Sequence, residues 1–290
     1  MDQKIYTPTP ATARRAQTIA SKHSNEDVAD ILERLELAKA EAEKAAEARV
    51  RPSVPSALSE DEDRIVSAAF RDRLFKRSSA TAEVHATSIE RLRPGKWLND
   101  EIINFYGGML SKRSAEDKTG KLPKIFYCNT FFFVKMQGKY DKSFGRWTKK
   151  VNIFDLDLMI MPINDDGMHW VAAVMDMKAK RVEYYDSMGG TEEKANKAYN
   201  TIMRYFAAEH EAKLGTKFDA APWTLQYLAD TTPQQDNGVD CGVFTCQTLE
   251  MRSRGLELGA GKWVFGARNM PFLRRMMVYE IAEGKLYKRW

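Results

Sequence analysis

The chain has 290 residues, which is enough for one large domain with an extension or for two small domains. Its hydrophobic fraction of 43% is ordinary for a globular protein, and neither a membrane-spanning apolar run nor a signal-peptide core is present. Three cysteines are too few for a secreted disulfide scaffold, and a net charge of +5 spread along the chain is no signature of nucleic-acid binding.

Residues 1–57 are predicted to form an N-terminal extension. Residues 1–24 are polar and lack periodicity, which is typical of disorder. A narrow apolar stripe then predicts a helix near residues 26–50 that lies outside the core, and a proline-containing linker follows it. A folded domain is therefore predicted from residue 58 to residue 290.

Helices are predicted at the start of this domain, followed by strands. The acidic run after Ser59 opens the first helix, and Asn99 or Asp100 can cap the second. The aromatic segment Phe126–Val134 and the run Ile153–Ile163 both favour strands. Helices return toward the C-terminus, and this order of helices, strands and helices indicates an α+β architecture.

A hairpin in the middle of the chain is predicted to bring a histidine beside an aspartate. His169–Met175 looks like one strand and Arg181–Asp186 like the next, and the short polar connection between them favours antiparallel pairing. If the turn centres on Met177-Lys178, His169 lies directly opposite Asp186, with Cβ atoms about 4.5–5.5 Å apart. The carboxylate would then bind one imidazole nitrogen and leave the other free. From spacing alone, a satisfied histidine at a strand end is an equally good interpretation.

Cys241 has the sequence context of a nucleophile. It follows the turn-forming pair Asn237-Gly238 and stands at the start of a predicted helix, where N–H groups and the helix dipole stabilise a thiolate. A thiolate is a strong nucleophile at neutral pH, so this placement points to covalent catalysis. A buried structural thiol is the alternative.

Gln235, six residues before Cys241, is the candidate oxyanion donor. Its side-chain amide can stabilise a developing oxyanion together with the backbone N–H of Cys241, and Gln234 is the weaker candidate. Ordinary loop chemistry is the alternative for both glutamines. A zinc site built from the cysteines and His169 is not expected, because paired Cys-x-x-Cys spacing is absent from the sequence.

Several separated motifs resemble those of the SUMO-specific (sentrin-specific) cysteine proteases. They occur in the order typical of that family, and the resemblance extends from about Leu58 to the C-terminus. The motifs are Trp97-Leu98-Asn99-Asp100, Asn129-Thr130-Phe131-Phe132, Arg146–Lys150, His169-Trp170, Tyr184–Gly190, Pro233–Gly242 and Met270–Met276.

This resemblance implies a papain-like α+β fold, with a central, mostly antiparallel sheet flanked by helices. By motif, His169 is the base, Asp186 its orienting acid, Cys241 the nucleophile and Gln235 the oxyanion donor. These are the four residues selected above on chemical grounds. The implied reaction is hydrolysis after the C-terminal Gly-Gly of SUMO, in conjugates with lysine and in the SUMO precursor, without a metal or organic cofactor.

Six more positions match substrate-binding residues of the family. Trp97 and Trp170 match tryptophans that wall a tunnel, where two indoles admit an extended Gly-Gly tail and exclude bulkier tails. Ordinary core aromatics are the alternative for both. Four further positions match the surface that contacts the globular part of SUMO: Asp100, Phe131, Arg146 and Trp147.

The expected partners are SUMO and SUMO-conjugated proteins, with no nucleic acid and no membrane insertion, and the catalytic domain is expected to be a monomer. The family implies a nuclear, nuclear-envelope or nucleo-cytoplasmic location, and the sparse cysteines favour a reducing compartment.

Two alternative functions stay open: a protease for the ubiquitin-like modifier of cullins, and a non-catalytic SUMO-binding adaptor. A third, an acetyltransferase, lacks a visible coenzyme-binding motif.

Overall fold

The structure is a computed structural model that describes residues 54–149 and 151–287. The segment 1–24, predicted to be disordered, and the helix predicted near residues 26–50 lie outside the described residues. The described part belongs to one unit, Ser53–Trp290. The domain limits 1–57 and 58–290 remain a prediction.

Helices and strands are mixed along the described chain. The helices are α1 (Glu60–Arg71), α2 (Ala86–Ile89), α3 (Asp100–Glu116), α4 (Thr130–Gln137), α5 (Gly145–Thr148), α6 (Glu192–Leu214), α7 (Cys241–Ser253) and α8 (Met270–Glu283). The strands are β1 (Lys76–Ser78), β2 (Glu83–His85), β3 (Ile125–Tyr127), β4 (Leu158–Asp165), β5 (His169–Asp176), β6 (Arg181–Tyr185) and β7 (Thr224–Tyr227).

A mixed sheet of five strands, in the order β3-β4-β5-β6-β7, lies between the helices, while β1 and β2 form a separate antiparallel pair. The two inner pairings, β4–β5 and β5–β6, are antiparallel, and the two outer pairings are parallel. The inner pairings are also the longest, so most paired residues are antiparallel.

Helices cover both faces of this sheet. Alternate residues of β5 point to opposite faces, as the strand period of two requires. Ala172 and Val174 pack into a core cluster with residues of α3, α7 and α8. Ala173 and Met175 pack into a second cluster with residues of α4 and α6. Because both faces are buried, β5 is an almost continuous apolar run and shows no polar–apolar alternation.

The register of the β5–β6 hairpin is two residues away from the predicted one. Asp176 pairs with Arg181, so the turn centres on Lys178-Ala179, and the predicted centre at Met177-Lys178 is wrong. The turn forms there because the Asp176 carboxylate accepts a hydrogen bond from the backbone N–H of Ala179 at 2.9 Å.

His169 and Asp186 are therefore not directly opposed. Continuing the β5–β6 pairing by one residue sets Asp186 opposite Val171, two residues from His169. A shift of two residues keeps side chains on the same face, whereas a shift of one would have separated them. The diagonal pair remains within reach, since a diagonal separation is about 7–8 Å between backbones.

Two of the predicted strand segments are only partly strand. In Phe126–Val134, β3 is short and α4 follows, because the side chain of Asn129 accepts a hydrogen bond from the N–H of Phe131 and caps the helix. The run from Ile153 begins with a 3-10 turn, Ile153–Asp155, before β4 starts at Leu158. Local capping overrides the strand preference of aromatic residues here.

The helix starts predicted at Ser59 and at Asn99 are confirmed. Ser59 and Glu62 form a reciprocal capping box at α1. The side chain of Asn99 accepts from the N–H of Ile102 at 3.3 Å and caps α3. In the described part of the chain, no helix is both long enough and apolar enough to cross a membrane.

A buried ionic network joins α7 to the sheet. The Arg252 guanidinium contacts both carboxylate oxygens of Glu183, at 2.7 and 3.1 Å, and one oxygen of Asp176 at 3.0 Å. Tyr185 donates its hydroxyl to Glu183 at 2.7 Å, and Arg181 binds the same carboxylate at 2.8 Å. The network holds the C-terminal end of α7 against β5 and β6.

Arg252→Ala is expected to lower the free energy of unfolding by about 3–5 kcal/mol, because it leaves buried carboxylate charge without its main partner. The measurement is urea denaturation at pH 7. Arg64→Ala is the control: Arg64 and its partner Asp61 are 76% and 81% exposed, so its cost should stay below about 1 kcal/mol. Equal losses for the two variants would contradict a structural role for the network.

Candidate active site

The ends of β5 and β6 bring His169 against Asp186. The Nε2 atom of His169 lies 2.7 Å from Oδ1 of Asp186. The same Oδ1 accepts a hydrogen bond from the backbone N–H of Met188 at 2.8 Å, and the Asp186 side chain is only 2% exposed. A Cβ at Gly190 would lie 2.7 Å from Asp186 Oδ2, and a φ of +53° there also favours glycine. The carboxylate is therefore held on several sides.

Cys241 is the first residue of α7, where the sequence predicted a helix to begin. Its side chain is buried and close enough to His169 to interact with the ring. The ring nitrogen that Asp186 does not use, Nδ1, is buried and forms no well-aligned hydrogen bond within residues 54–149 and 151–287. The arrangement leaves this nitrogen available to a proton donor.

The surroundings of His169 favour its protonated form. Burial of the ring opposes protonation, but the hydrogen bond to Asp186 and the contact with Cys241 outweigh it and raise the pKa of His169 to about 9. An imidazolium beside a thiol stabilises the thiolate. The ring that carries this proton is in contact with the Cys241 side chain.

The other two cysteines lie in different surroundings. Burial raises the pKa of the Cys128 thiol, and burial together with the charge of Glu280 raises the pKa of Cys246. Both thiols are thereby kept protonated and unreactive. No cluster of three or more His, Cys, Asp or Glu side chains suited to a metal ion occurs among the described residues.

Gln235 lies in the loop that precedes α7, and its amide is oriented by Ser187. The backbone N–H of Gln235 donates to the Ser187 carbonyl at 2.8 Å, and the Ser187 hydroxyl donates to Gln235 Oε1 at 2.7 Å. Nε2 therefore points into the loop, where it donates to the carbonyl of Asn237. At the first position of α7, the N–H of Cys241 has no acceptor within the helix.

Gln234 connects this loop to the aspartate, a role that the sequence did not reveal. Its side-chain Nε2 donates to the carbonyl of Thr232 at 2.9 Å and lies 3.3 Å from the carbonyl of Asp186. The side chain is therefore a cross-link between the Asp186 turn and the loop before α7. The signal in the sequence is only the adjacent pair of glutamines.

Two tryptophans lie on segments next to His169 and Cys241. Trp97 is 46% exposed, and its indole N–H donates to the carbonyl of Gly238 at 2.7 Å. Trp170 is buried, and its indole N–H donates to the carbonyl of Leu98 at 3.3 Å. A Cβ at Gly242 would lie 2.9 Å from the Leu98 side chain. The segment that carries Trp97 is thus in direct contact with the segment that carries the cysteine.

A groove of about 400 Å³ opens beside the tryptophans. Four of the six residues predicted to bind substrate line it, together with two exposed apolar side chains. Its lining includes Trp97, Asp100, Phe131, Val134, Met168 and Trp170. An apolar surface of this kind is typical of a protein-binding site.

Arg146 and Trp147 do not line this groove. Arg146 is exposed on α5, and the Trp147 ring packs against Phe132, with 5.1 Å between ring centroids. Their predicted contact with a substrate therefore rests on the resemblance alone.

Comparison with known proteins places the chain beside a family of proteases. Residues 96–286 match the family described as "Ulp1 protease family, C-terminal catalytic domain". The chain is 44% identical to a sentrin-specific protease of Caenorhabditis elegans over 191 residues, covering 66% of this chain and 26% of that protein. It is 34% identical to sentrin-specific protease 2 of Rattus norvegicus over 225 residues, covering 77% of this chain and 34% of that protein. The chain thus spans about a third or less of these relatives.

A solved structure of similar fold is the C-terminal Ulp1 protease domain in complex with Smt3, the yeast ortholog of SUMO. The TM-score is 0.63 at 26% identity, and the match covers 80% of this chain and 98% of that one. The predicted α+β cysteine-protease fold is confirmed.

The raised pKa of His169 predicts that this residue contributes less to stability as pH rises. Its pKa is about 9 in the folded protein against an ordinary 6.5, so the folded state binds the proton more tightly than the unfolded state. The stabilisation is complete below about pH 6.5 and is lost as pH rises through about 9.

Urea denaturation of wild type and His169→Gln between pH 6 and pH 10 measures this effect. The free energy of unfolding of wild type minus that of the variant should fall steadily across the window. When Asp186→Asn replaces wild type in this comparison, the difference in the free energy of unfolding should change less with pH. The reason is that this variant lacks the main partner of the imidazolium. A difference that is constant with pH would contradict the raised pKa.

Proposed function

Because this chain belongs to the Ulp1 protease family, we propose that it is a cysteine protease that cleaves after the C-terminal Gly-Gly of SUMO. The observation that carries the proposal is the meeting of His169, Asp186 and Cys241 at the start of α7. The substrate is suggested by the sentrin-specific relatives and by the similar yeast domain that binds Smt3.

Acylation begins with the Cys241 thiolate, whose proton resides on Nδ1 of His169. The sulfur attacks the carbonyl carbon of the terminal glycine, and the carbonyl π electrons move to the oxygen. When the tetrahedral intermediate collapses, the C–N bond breaks and His169 gives its proton to the leaving lysine amine. Asp186 keeps the imidazole oriented and stabilises its positive charge throughout.

Deacylation repeats these roles with water. His169, now neutral, takes a proton from a water molecule that attacks the thioester carbonyl. Collapse of the second intermediate returns the thiolate–imidazolium pair and releases the SUMO carboxylic acid, which loses its proton to solvent. In both steps the negative oxygen would be stabilised by Nε2 of Gln235 and by the backbone N–H of Cys241.

The glycine tail would reach the sulfur between Trp97 and Trp170. Glycine alone lacks a side chain, so two indole walls admit an extended Gly-Gly segment and reject tails with larger residues. The globular part of SUMO would occupy the adjoining groove, against Phe131 and Asp100. Arg146 and Trp147 are proposed as additional contacts outside that groove.

SUMO and SUMO-conjugated proteins are the proposed partners, and residues 58–290 the proposed catalytic domain. This chemistry needs neither a metal nor an organic cofactor. A nuclear or nucleo-cytoplasmic location is proposed from the family alone.

Incubation with a SUMO precursor and with a SUMO-conjugated protein tests the proposal. Wild type is expected to cleave at least one of the two, and Cys241→Ala is expected to abolish cleavage while it still binds SUMO, because the alanine removes only the nucleophile. Gel mobility measures cleavage, and titration calorimetry measures binding. Turnover by the alanine variant would remove Cys241 from the mechanism.

The same preparation separates the competing functions. SUMO and the cullin modifier, each with a C-terminal aldehyde, are offered in parallel, and only the cognate tail should capture Cys241. Capture of the cullin modifier alone would change the substrate but keep the chemistry. If alkylation by iodoacetamide near neutral pH is no faster at Cys241 than at Cys128, the chain is better described as an adaptor.

Gln235→Ala is expected to lower kcat by about 10²–10³, with a smaller effect on KM, since the lost donor acts on charge that develops in the transition state. Steady-state kinetics on the SUMO precursor measure both constants. Gln137→Ala, at an exposed glutamine at the end of α4, is the control. A rise in KM at unchanged kcat would assign Gln235 to ground-state binding.

A further inference from the structure

Arg274, on α8, is a buried arginine whose hydrogen-bond donors are all used. Its relative exposure is 2%. Its five N–H groups are matched by one carboxylate oxygen and four backbone carbonyls: Asp240 Oδ1 at 2.7 Å, Lys96 O at 2.8 Å, Val239 O at 3.0 Å, Arg91 O at 3.1 Å and Arg93 O at 3.3 Å.

These acceptors belong to two segments, one leading to Trp97 and the other to Cys241. Lys96 immediately precedes Trp97, and Asp240 immediately precedes Cys241. One guanidinium therefore lies between the segment that carries a proposed tunnel wall and the segment that carries the nucleophile. The hydrogen bond from Trp97 to Gly238 crosses the same junction.

Asp240 completes the junction on the cysteine side. Its second carboxylate oxygen accepts a hydrogen bond from Asn237 Nδ2 at 2.7 Å. The Asn237 Oδ1 atom in turn accepts from the backbone N–H groups of Val239 and Asp240, at 2.9 and 3.1 Å. The conformation of the loop before Cys241 is thus fixed through Asp240, and Asp240 is fixed through Arg274.

A gain in folding stability does not by itself explain the buried pair of Arg274 and Asp240. A buried ion pair is often no more stabilising than well-packed apolar residues of similar volume, because both charges lose their hydration. A guanidinium is planar, and its donors have fixed directions, so it can hold several acceptors at set distances. Lysine has a single flexible ammonium and cannot bind both segments in this way.

We propose that Arg274 is a positioning residue that fixes the spacing between Trp97 and Cys241 and thereby sets the selectivity for a Gly-Gly tail. This inference rests on the proposed function. Without Arg274, the Trp97 segment is held less firmly, and the tunnel between Trp97 and Trp170 is less able to exclude a tail that carries a side chain. The carbonyl of the cognate tail is also placed less accurately over the Cys241 sulfur.

Arg252 supplies a matched control on another helix. It too is a buried arginine with a carboxylate partner, but it lies at the far end of α7. Arg252 lies eleven positions after Cys241 along the helix, which corresponds to about 16 Å along the axis. Arg252→Lys should lower stability without touching the Trp97 segment.

The test compares Arg274→Lys, Arg252→Lys and wild type on two full-length SUMO precursors, measured well below the melting temperature of each variant. One precursor keeps Gly-Gly at the cleavage site, and the other has alanine at the penultimate position. In Arg274→Lys, kcat/KM on Gly-Gly should fall about 10²-fold through misplacement. The ratio of kcat/KM for Gly-Gly to that for Ala-Gly should fall about tenfold.

Arg252→Lys should keep the wild-type ratio, whatever its melting temperature. An unchanged ratio in Arg274→Lys would overturn the inference, even if its activity falls, whereas no cleavage of either precursor by wild type would count against the proposed function instead. If Arg274→Lys does not fold, Asp240→Asn is measured in its place. Asp240→Asn keeps an oxygen acceptor for Nε of Arg274 but loses the negative charge of the carboxylate. The same fall in the Gly-Gly to Ala-Gly ratio of kcat/KM is expected.

Discussion

The burial of α7 along its whole length is the constraint on which the site depends. Every residue of Cys241–Ser253 is buried, so the helix cannot rotate or slide without unpairing polar groups or opening the core. Its polar side chains have fixed partners: Arg252 binds Glu183, and the amide of Gln247 donates to the hydroxyl of Tyr106 at 3.2 Å. The place of the thiol at its first residue therefore follows from the packing of an entire helix.

The sheet positions Asp186 and His169, again through burial and fixed hydrogen bonds. Asp186 follows a buried strand, and its carboxylate is held by a backbone N–H and by the close approach of Gly190. A buried carboxylate with fixed donors cannot turn away from His169, so it both orients the imidazole and stabilises its positive charge. The raised pKa of His169 is the electrostatic consequence of that rigidity.

Features set by near neighbours could be predicted from the sequence. The start of α7 at Cys241 and the caps at Ser59 and Asn99 depend on residues within one helical turn. The β5–β6 register was predicted two residues off because a single carboxylate, that of Asp176, moves the turn. His169 still lies beside Asp186, as predicted, because side-chain direction in a strand repeats every two residues.

Contacts between distant segments could not be predicted in this way. The carbonyls that Arg274 binds on the Trp97 side lie 178 to 183 residues away in the chain, and backbone carbonyls have no sequence signature. The motif around Arg274 was visible, but its partners were not. The groove was likewise recognised only through resemblance, since an exposed Phe131 on a short helix has no pattern of its own.

The buried arginines Arg252 and Arg274 hold α7 at its opposite ends. Arg252 joins its C-terminal end to the sheet that carries His169 and Asp186, whereas Arg274 joins its N-terminal loop to the segment that carries Trp97. The first contact fixes α7 against β5 and β6, and the second fixes the distance between the Trp97 segment and the loop before Cys241. If the proposed function holds, selectivity for a narrow tail would depend on how these two segments are spaced. An indole alone cannot provide it, because a wall excludes a methyl group only when its distance from the nucleophile is fixed.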